Sequence, residues 1–324
     1  MRALLCKSHG LPDTLVLEDV PSLTPGKGEV VVQVKAAAVN FHDTLIIQNL
    51  YQHKPELPFS PGADLAGIIK AVGEGVTGYK VGDRVIGLLR WGGFAEEALV
   101  PAGRLAALPS GVDFPDAVAL GLAYTTSYYG LKNCAHLAPG ETLLVLGAAG
   151  GIGSAAVQLG SVMGARVIAC ASSAESLEIC RRLGAAETIN YHTDDLRDCV
   201  RRFTNGRGLD VVCDPVGGKL ADAAVRGMAW QGRYLVIGFA SGEIPRVPLN
   251  ITLLKGCSIL GVSRGQFMDR EPEKSKANAD ELFAWLAAGK ITPVITARYR
   301  LDQARDALND MMQRKLHGKA VILI

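Results

Sequence analysis

The chain has 324 residues, 48% of them hydrophobic and 20% charged, with a formal net charge of +2. That length suits two domains with ample cores, and so small a net charge leaves no basic field for nucleic acid. Seven scattered cysteines (Cys6, Cys134, Cys170, Cys180, Cys199, Cys213 and Cys257), none in a C-x-x-C pair, suit buried thiols in a reducing, cytoplasmic setting better than disulfides or a zinc site.

The opening residues MRALLCKSHGLP lack the apolar core of a secretory signal. Up to about Pro115 the chain reads as β-rich. Val30–Val39 is a strand-like run, Asp64–Val76 is apolar with a glycine turn, and Gly82-Asp83 marks a turn inside Tyr79–Leu88. A further short strand is expected in WGGFAEEALVP. From about Asp116 strands alternate with helices. Leu143–Leu146 precedes a helix reaching Met163, and Arg166–Ala171 precedes one reaching Leu183, where Gly184 is placed as a C-terminal cap. Short strands follow near Glu187–Ile189, Asp210–Asp214, Arg233–Gly238 and Ser258–Gly261. This alternation predicts a doubly wound parallel sheet. A helix over Asp302–Met312, with Ala304, Ala307, Leu308 and Met311 on one face, and a closing strand GKAVILI complete the chain. Thr142–Ala165 carries no charged residue and is long enough to imitate a membrane span. Its six glycines fit a strand, tight turn and buried helix better.

Gly147, Gly150, Gly151 and Gly153 lie in that turn, spaced G-x-x-G-G-x-G. Glycines there let a pyrophosphate approach the backbone, and a helix N-terminus supplies N–H donors and a favourable dipole. The strict G-x-G-x-x-G fingerprint is not met, and the bland alternative is a glycine-rich packing turn. The strand before, the helix after and the strands that follow favour the cofactor cradle. NAD sites place an acidic residue at the end of the second strand. Here Ala171, Ser172 and Ser173 stand there instead, with Arg181, Arg182 and Tyr191 further on, which favours a 2′-phosphate and hence NADPH. Glu175 nearby and a solvated reading of the two arginines argue the other way.

VNFHDTLIIQNLY, PGADLAG, VGDRVIG, LGAAGGIGSAAVQL, INY, DPVGG and the final GKAVI occur in this order along nearly the whole chain. Together they resemble the zinc-independent, zeta-crystallin-like quinone oxidoreductases of the medium-chain dehydrogenase/reductase superfamily. The resemblance implies an α/β chain with a GroES-like, β-rich catalytic domain in two pieces, residues 1–116 and 262–324. A Rossmann domain over 117–261 would lie between them in sequence. In the zinc-carrying branch, ligands stand where this chain has Asn40, Ala63 and Leu122, and the cysteine-rich zinc loop is missing. No metal is therefore expected, since Ala and Leu offer no donor atom; His42 reads as a structural histidine.

The resemblance further assigns Asn40 to the nicotinamide ribose and substrate, and Tyr51 to proton donation, with packing as the alternative role for Tyr51. Asp43, which follows Asn40, reads as a local structural residue. Thr126 would approach the nicotinamide or phosphate region. Ala149, Gly150, Gly151, Ile152 and Gly153 would hold the pyrophosphate. Ser172, Ser173 and Tyr191 would surround the adenosine phosphate, and Gly238, Phe239 and Val262 would line the nicotinamide side. Two positions depart from the family pattern: Ser176 replaces a common Lys, and Pro215 replaces a Ser, removing a hydroxyl and an N–H.

The expected activity is NADPH-dependent reduction of a quinone or similar activated carbonyl compound. The rivals are reduction of the C=C bond of an enone or enoyl thioester, and a non-catalytic NADPH-binding protein. The small-molecule substrate, the absence of membrane and nucleic-acid partners, and a homodimer or homotetramer joined near Ser258–Gly261 complete the expectation.

Overall fold

The apolar run Glu29–Val39 is buried along most of both faces, so it reads as continuous hydrophobic sequence rather than as alternation. In the computed structural model, which describes residues 1–324, this strand is the spine of a seven-stranded sheet. One side pairs antiparallel with Asp64–Val72, which in turn pairs with Arg84–Leu88. Its other side takes Glu97–Pro101 along the first half and Lys319–Leu323 along the second. The last strand of the chain thus extends an edge begun more than two hundred residues earlier. Ile295–Arg300 lies parallel outside it.

Two compact units result: Met1–Leu122 with Ala279–Ile324, and Ala123–Asn278. The boundaries expected after 116 and 261 fall earlier in the chain than these. Packing explains the second shift. Phe267 stacks on Tyr129 with ring centroids 4.0 Å apart, and the Asn278 side chain bonds that of Asn133 at 2.7 Å, so the helices that follow Gly261 begin in the nucleotide unit.

In the first unit, Leu4, Val39, Ile46, Phe59, Leu308 and Ile322 share one core on one face of the sheet. Val30, Val32, Leu65, Ile69, Val85 and Val100 fill another. Each such side chain contributes about 1.5–3 kcal/mol by leaving water. The unit also holds a hairpin (Arg2–Leu5 with Val16–Asp19) and a six-residue helix, Phe41–Ile46, neither of which periodicity reveals. The tail helix begins as a 3-10 turn, Leu301–Gln303, and continues over Ala304–Met312.

The second unit is a six-stranded, all-parallel sheet. Its spatial order is Glu187–Asn190, Arg166–Ala171, Thr142–Leu146, Leu209–Asp214, Met228–Val236, Ser258–Gly261. Numbered along the chain this is 3-2-1-4-5-6, the Rossmann order, in which ligands meet the carboxyl ends of the strands. The charge-free stretch resolves into the strand Thr142–Leu146 and the helix Gly151–Val162, and no helix is long and apolar enough to cross a membrane.

Candidate active site

The turn after Leu146 is built around what its glycines leave out. Gly147 has φ +58°, and a Cβ there would lie 2.5 Å from Val216 Cγ2. A Cβ on Gly153 would meet the Gly147 carbonyl oxygen at 2.1 Å and Ala148 Cα at 2.7 Å, both fixed backbone. Gly153 therefore lets the helix close onto the strand. Gly150 differs: it is exposed, and its Cβ would meet only the Gly147 oxygen, at 3.4 Å. The first intrahelical bond here runs from Ser154 N–H to the Gly150 carbonyl at 2.8 Å, so the N–H groups of Gly151, Ile152 and Gly153 lie before it, at the helix mouth. The Ala149 side chain is buried and can offer a ligand only backbone. This cradle fits a pyrophosphate: donors, a dipole and an open Cβ position coincide.

The other expected contacts of the nucleotide unit gather at the same end of the sheet. The Tyr191 N–H donates to the Ala171 carbonyl at 3.1 Å, which sets Tyr191 beside Ser172 at the end of the second strand. Ser173 caps the helix Ala174–Arg182, accepting the Ser176 N–H at 3.2 Å. Ser176 is buried and its hydroxyl accepts from that of Ser173 at 3.0 Å. The residue standing where the resemblance leads one to expect Lys is thus tied to the cap of its own helix. Arg181 is held by Thr188 (2.9 Å) and Glu178 (3.4 Å), and Arg182 by Glu178 (3.3 Å), on an exposed helix face. At the fourth strand, Asp214 Oδ1 accepts the N–H groups of Val216 and Gly217, both at 2.8 Å, and Oδ2 accepts the Tyr234 hydroxyl. Burial and the neighbouring carboxylate push the Tyr234 phenol far above its ordinary range, so it remains a donor. Asp214 thus ties down the turn that carries Pro215. Gly238 N–H reaches the Asp214 carbonyl at 3.4 Å and Val262 N–H the Val236 carbonyl at 2.9 Å, which brings Gly238, the half-exposed Phe239 and Val262 to adjoining strand ends. Thr126 is buried in the helix Phe114–Tyr128, next to Ser127, whose hydroxyl donates to the Ile152 carbonyl at 3.0 Å.

In the first unit the expected residues flank the helix Phe41–Ile46. Asn40 is 5% exposed and sits in a network of buried polar groups. Its side-chain Oδ1 accepts from the Lys319 ammonium at 2.6 Å, and its Nδ2 donates to Asp64 Oδ2 at 3.1 Å and to the Ala38 carbonyl at 3.4 Å. Asp64 Oδ2 also accepts the Leu122 N–H at 3.0 Å, freed where Gly121 breaks helical geometry. Asp43 accepts the N–H groups of Asn40 (2.8 Å) and Gly62 (3.1 Å). Burial draws the Lys319 ammonium below the ordinary lysine range, while Asp64 and Asp43 pull the other way. Tyr51 packs against the neighbouring core, its ring edge-to-face with His42 at 4.2 Å. Motif reading missed Lys319 and Asp64. Their signals were a lone cation opening an apolar closing strand and a lone carboxylate opening another.

These two units define a class, the medium-chain dehydrogenase/reductases. Residues 26–110 match the family description "Alcohol dehydrogenase GroES-like domain", and residues 151–283 match "Zinc-binding dehydrogenase". A quinone oxidoreductase-like protein 2 homolog from Nematostella vectensis is 41% identical over 99% of this chain and 88% of its own. A quinone oxidoreductase of Pseudomonas aeruginosa is 36% identical over 98% and 97%. The Escherichia coli quinone oxidoreductase solved with NADPH superposes with a TM-score of 0.93 at 28% identity, covering all of both chains. The chain belongs to the quinone oxidoreductase family of that superfamily.

The second description names zinc, and the residues present do not fit it. Ala63 and Leu122 have no side-chain donor, and the one Asn40 oxygen already accepts from an ammonium. No group of three His, Cys, Asp or Glu side chains is placed to hold a metal ion.

Proposed function

We propose that this chain is an NADPH-dependent reductase of quinones that works without a metal ion. The observation that carries this reading is the second strand end, where Ser172, Ser173 and Tyr191 meet with no carboxylate among them. A carboxylate there would repel a 2′-phosphate, whereas hydroxyls can donate to it. The acceptor class rests on the family, whose members named above are quinone oxidoreductases.

NADPH, once bound, supplies the hydride. The chain's residues do the rest. The N–H groups of Gly151, Ile152 and Gly153 bind the pyrophosphate, and Thr126, Gly238, Phe239 and Val262 line the nicotinamide side. Asn40 orients the nicotinamide ribose and the acceptor. A quinone that has taken hydride is an oxyanion needing one proton, and Tyr51, steadied by the His42 ring, donates it. An activated acceptor needs little further polarisation, which is consistent with chemistry that uses no Lewis acid.

We further read the enzyme as a cytoplasmic homodimer. Ser258–Gly261 is an edge strand, and beside it Leu249, Leu253 and Leu254 are more than 70% exposed, as Trp230 is to 70%. An open edge with apolar side chains around it is a surface that a second copy would cover.

The test offers NADPH or NADH with a quinone, and separately with an enoyl thioester, to wild type and to Tyr51→Phe. The expected outcome is quinone turnover preferring NADPH, with Tyr51→Phe lowering kcat about 10- to 100-fold. Turnover of the thioester alone would move the function to C=C reduction, and no turnover with NADPH still bound would leave a binding protein.

A further inference from the structure

Asn40 and Lys319 face each other by strand register. Ala320 pairs with Val39 in the antiparallel ladder, so the residue before Ala320 stands opposite the residue after Val39. The two side chains meet in the interior, 5% and 3% exposed. An asparagine amide can turn over by 180° and exchange its oxygen for its nitrogen. Here both neighbours forbid the turned form. The ammonium has only donors and must face Oδ1, at 2.6 Å; the Asp64 carboxylate has only acceptors and must face Nδ2, at 3.1 Å. Lys319 is itself held by a second bond, to the Val39 carbonyl at 3.3 Å. The amide is clamped from both ends, and one lone pair of Oδ1 remains for a ligand hydroxyl.

We propose that Lys319 is a positioning residue for the reduction: it fixes the Asn40 amide in the single orientation in which that amide serves the reacting end of the cofactor. This rests on the reading of Asn40 given above. The clamp is unlike the glycine cradle, which holds the nucleotide through backbone of the other unit. Losing Lys319 should therefore spoil orientation while leaving nucleotide affinity largely intact, a loss in kcat rather than in KM.

The experiment is a double-mutant cycle with Asn40→Ala and Lys319→Met, read as kcat and KM for NADPH with a quinone. It is paired with hydrogen exchange of the 15N-labelled Asn40 side-chain amide. Lys319→Met is expected to lower kcat about tenfold or more with KM changed less than about threefold. The double variant should be no slower than Asn40→Ala alone, because both changes remove one unit. The Asn40 amide should exchange slowly in wild type and fast in Lys319→Met. Should Lys319→Met fail to fold with its carboxylates uncompensated, the whole cycle is run in an Asp64→Asn background, with Asp64→Asn alone in place of wild type. Wild-type kcat in the lysine variant, losses that multiply in the double variant, or an amide that exchanges equally slowly in both would each overturn the proposal. If Asn40→Ala alone keeps full kcat, the role of Asn40 falls and this proposal with it, a result distinct from an inert Lys319 beside an essential Asn40.

Discussion

The cradle at Gly147–Gly153 is made of backbone from one turn, whereas the network at Asn40 is made of side chains from four separated stretches: Asn40–Asp43, Gly62–Asp64, Leu122 and Lys319. The first needs residues that lack something, a Cβ, so that strand, helix and ligand can close together. The second needs residues that carry something, a charge or an amide, each satisfied by the next. A backbone site fails where an added atom would strike fixed backbone, as at Gly153. A side-chain network tolerates changes in shape but fails when one donor or acceptor is left alone in the interior.

Gly153→Ala gives the largest effect expected. Its methyl would meet backbone atoms at 2.1–2.8 Å, which no rotamer can relieve. We expect a loss of about 3–5 kcal/mol in chemical denaturation together with loss of NADPH binding. A stable Gly153→Ala protein would break the contrast at its backbone end. Asp43→Ala tests the other end. It strands the buried N–H groups of Asn40 and Gly62, and a cost of about 2–4 kcal/mol is expected in the same assay. An unchanged midpoint would mean that water or a neighbour replaces the carboxylate.

A third cluster sharpens the comparison by being half wet. Burial pushes the Glu97 carboxyl up, but the Lys70 ammonium, the Leu23 N–H and the Ser22 hydroxyl together bring it down from its ordinary 4.5 to about 2. A depressed carboxylate stabilises the fold fully above its unfolded value and loses that contribution as pH falls through its folded value. The contribution of Glu97 should thus be complete above about pH 4.5 and gone near pH 2. Lys70 is 48% exposed, so solvent screening leaves about 1–2 kcal/mol of it. Melting of Glu97→Gln against wild type across that range checks both sign and size; a gap that widens on acidification would refute it.

The same contrast explains what could be read in the sequence. The strand, glycine turn and helix around Gly147–Gly153 were legible because they are consecutive. The parallel order of the nucleotide sheet followed from alternating elements, and the strand Arg166–Ala171 came out with its own bounds. The network was legible only in part. Asn40 was named through resemblance, but its partners Asp64 and Lys319 are joined to it by register across three strands, and no local pattern encodes that. The helix Phe41–Ile46 was hidden for a related reason, since its start is tied down by the Asp43 carboxylate and Asn40 N–H rather than by periodicity. Ser176 shows the limit of reading by substitution: the missing Lys is not merely absent, because the serine has become part of a helix cap.

The claim on which the rest stands is that this turn holds NADPH, and Gly150 isolates it from folding. Its added methyl would meet nothing closer than 3.4 Å and would project outward, where the pyrophosphate must approach. The measurement is calorimetric titration of NADPH into chelator-treated wild type and Gly150→Ala, with thermal melting of both alongside. The account predicts saturable binding to the metal-stripped wild type, and a melting temperature within a few degrees between the two. It also predicts an affinity lower by about tenfold or more in the variant. No NADPH binding by wild type, or equal affinity in an equally stable Gly150→Ala protein, would contradict it.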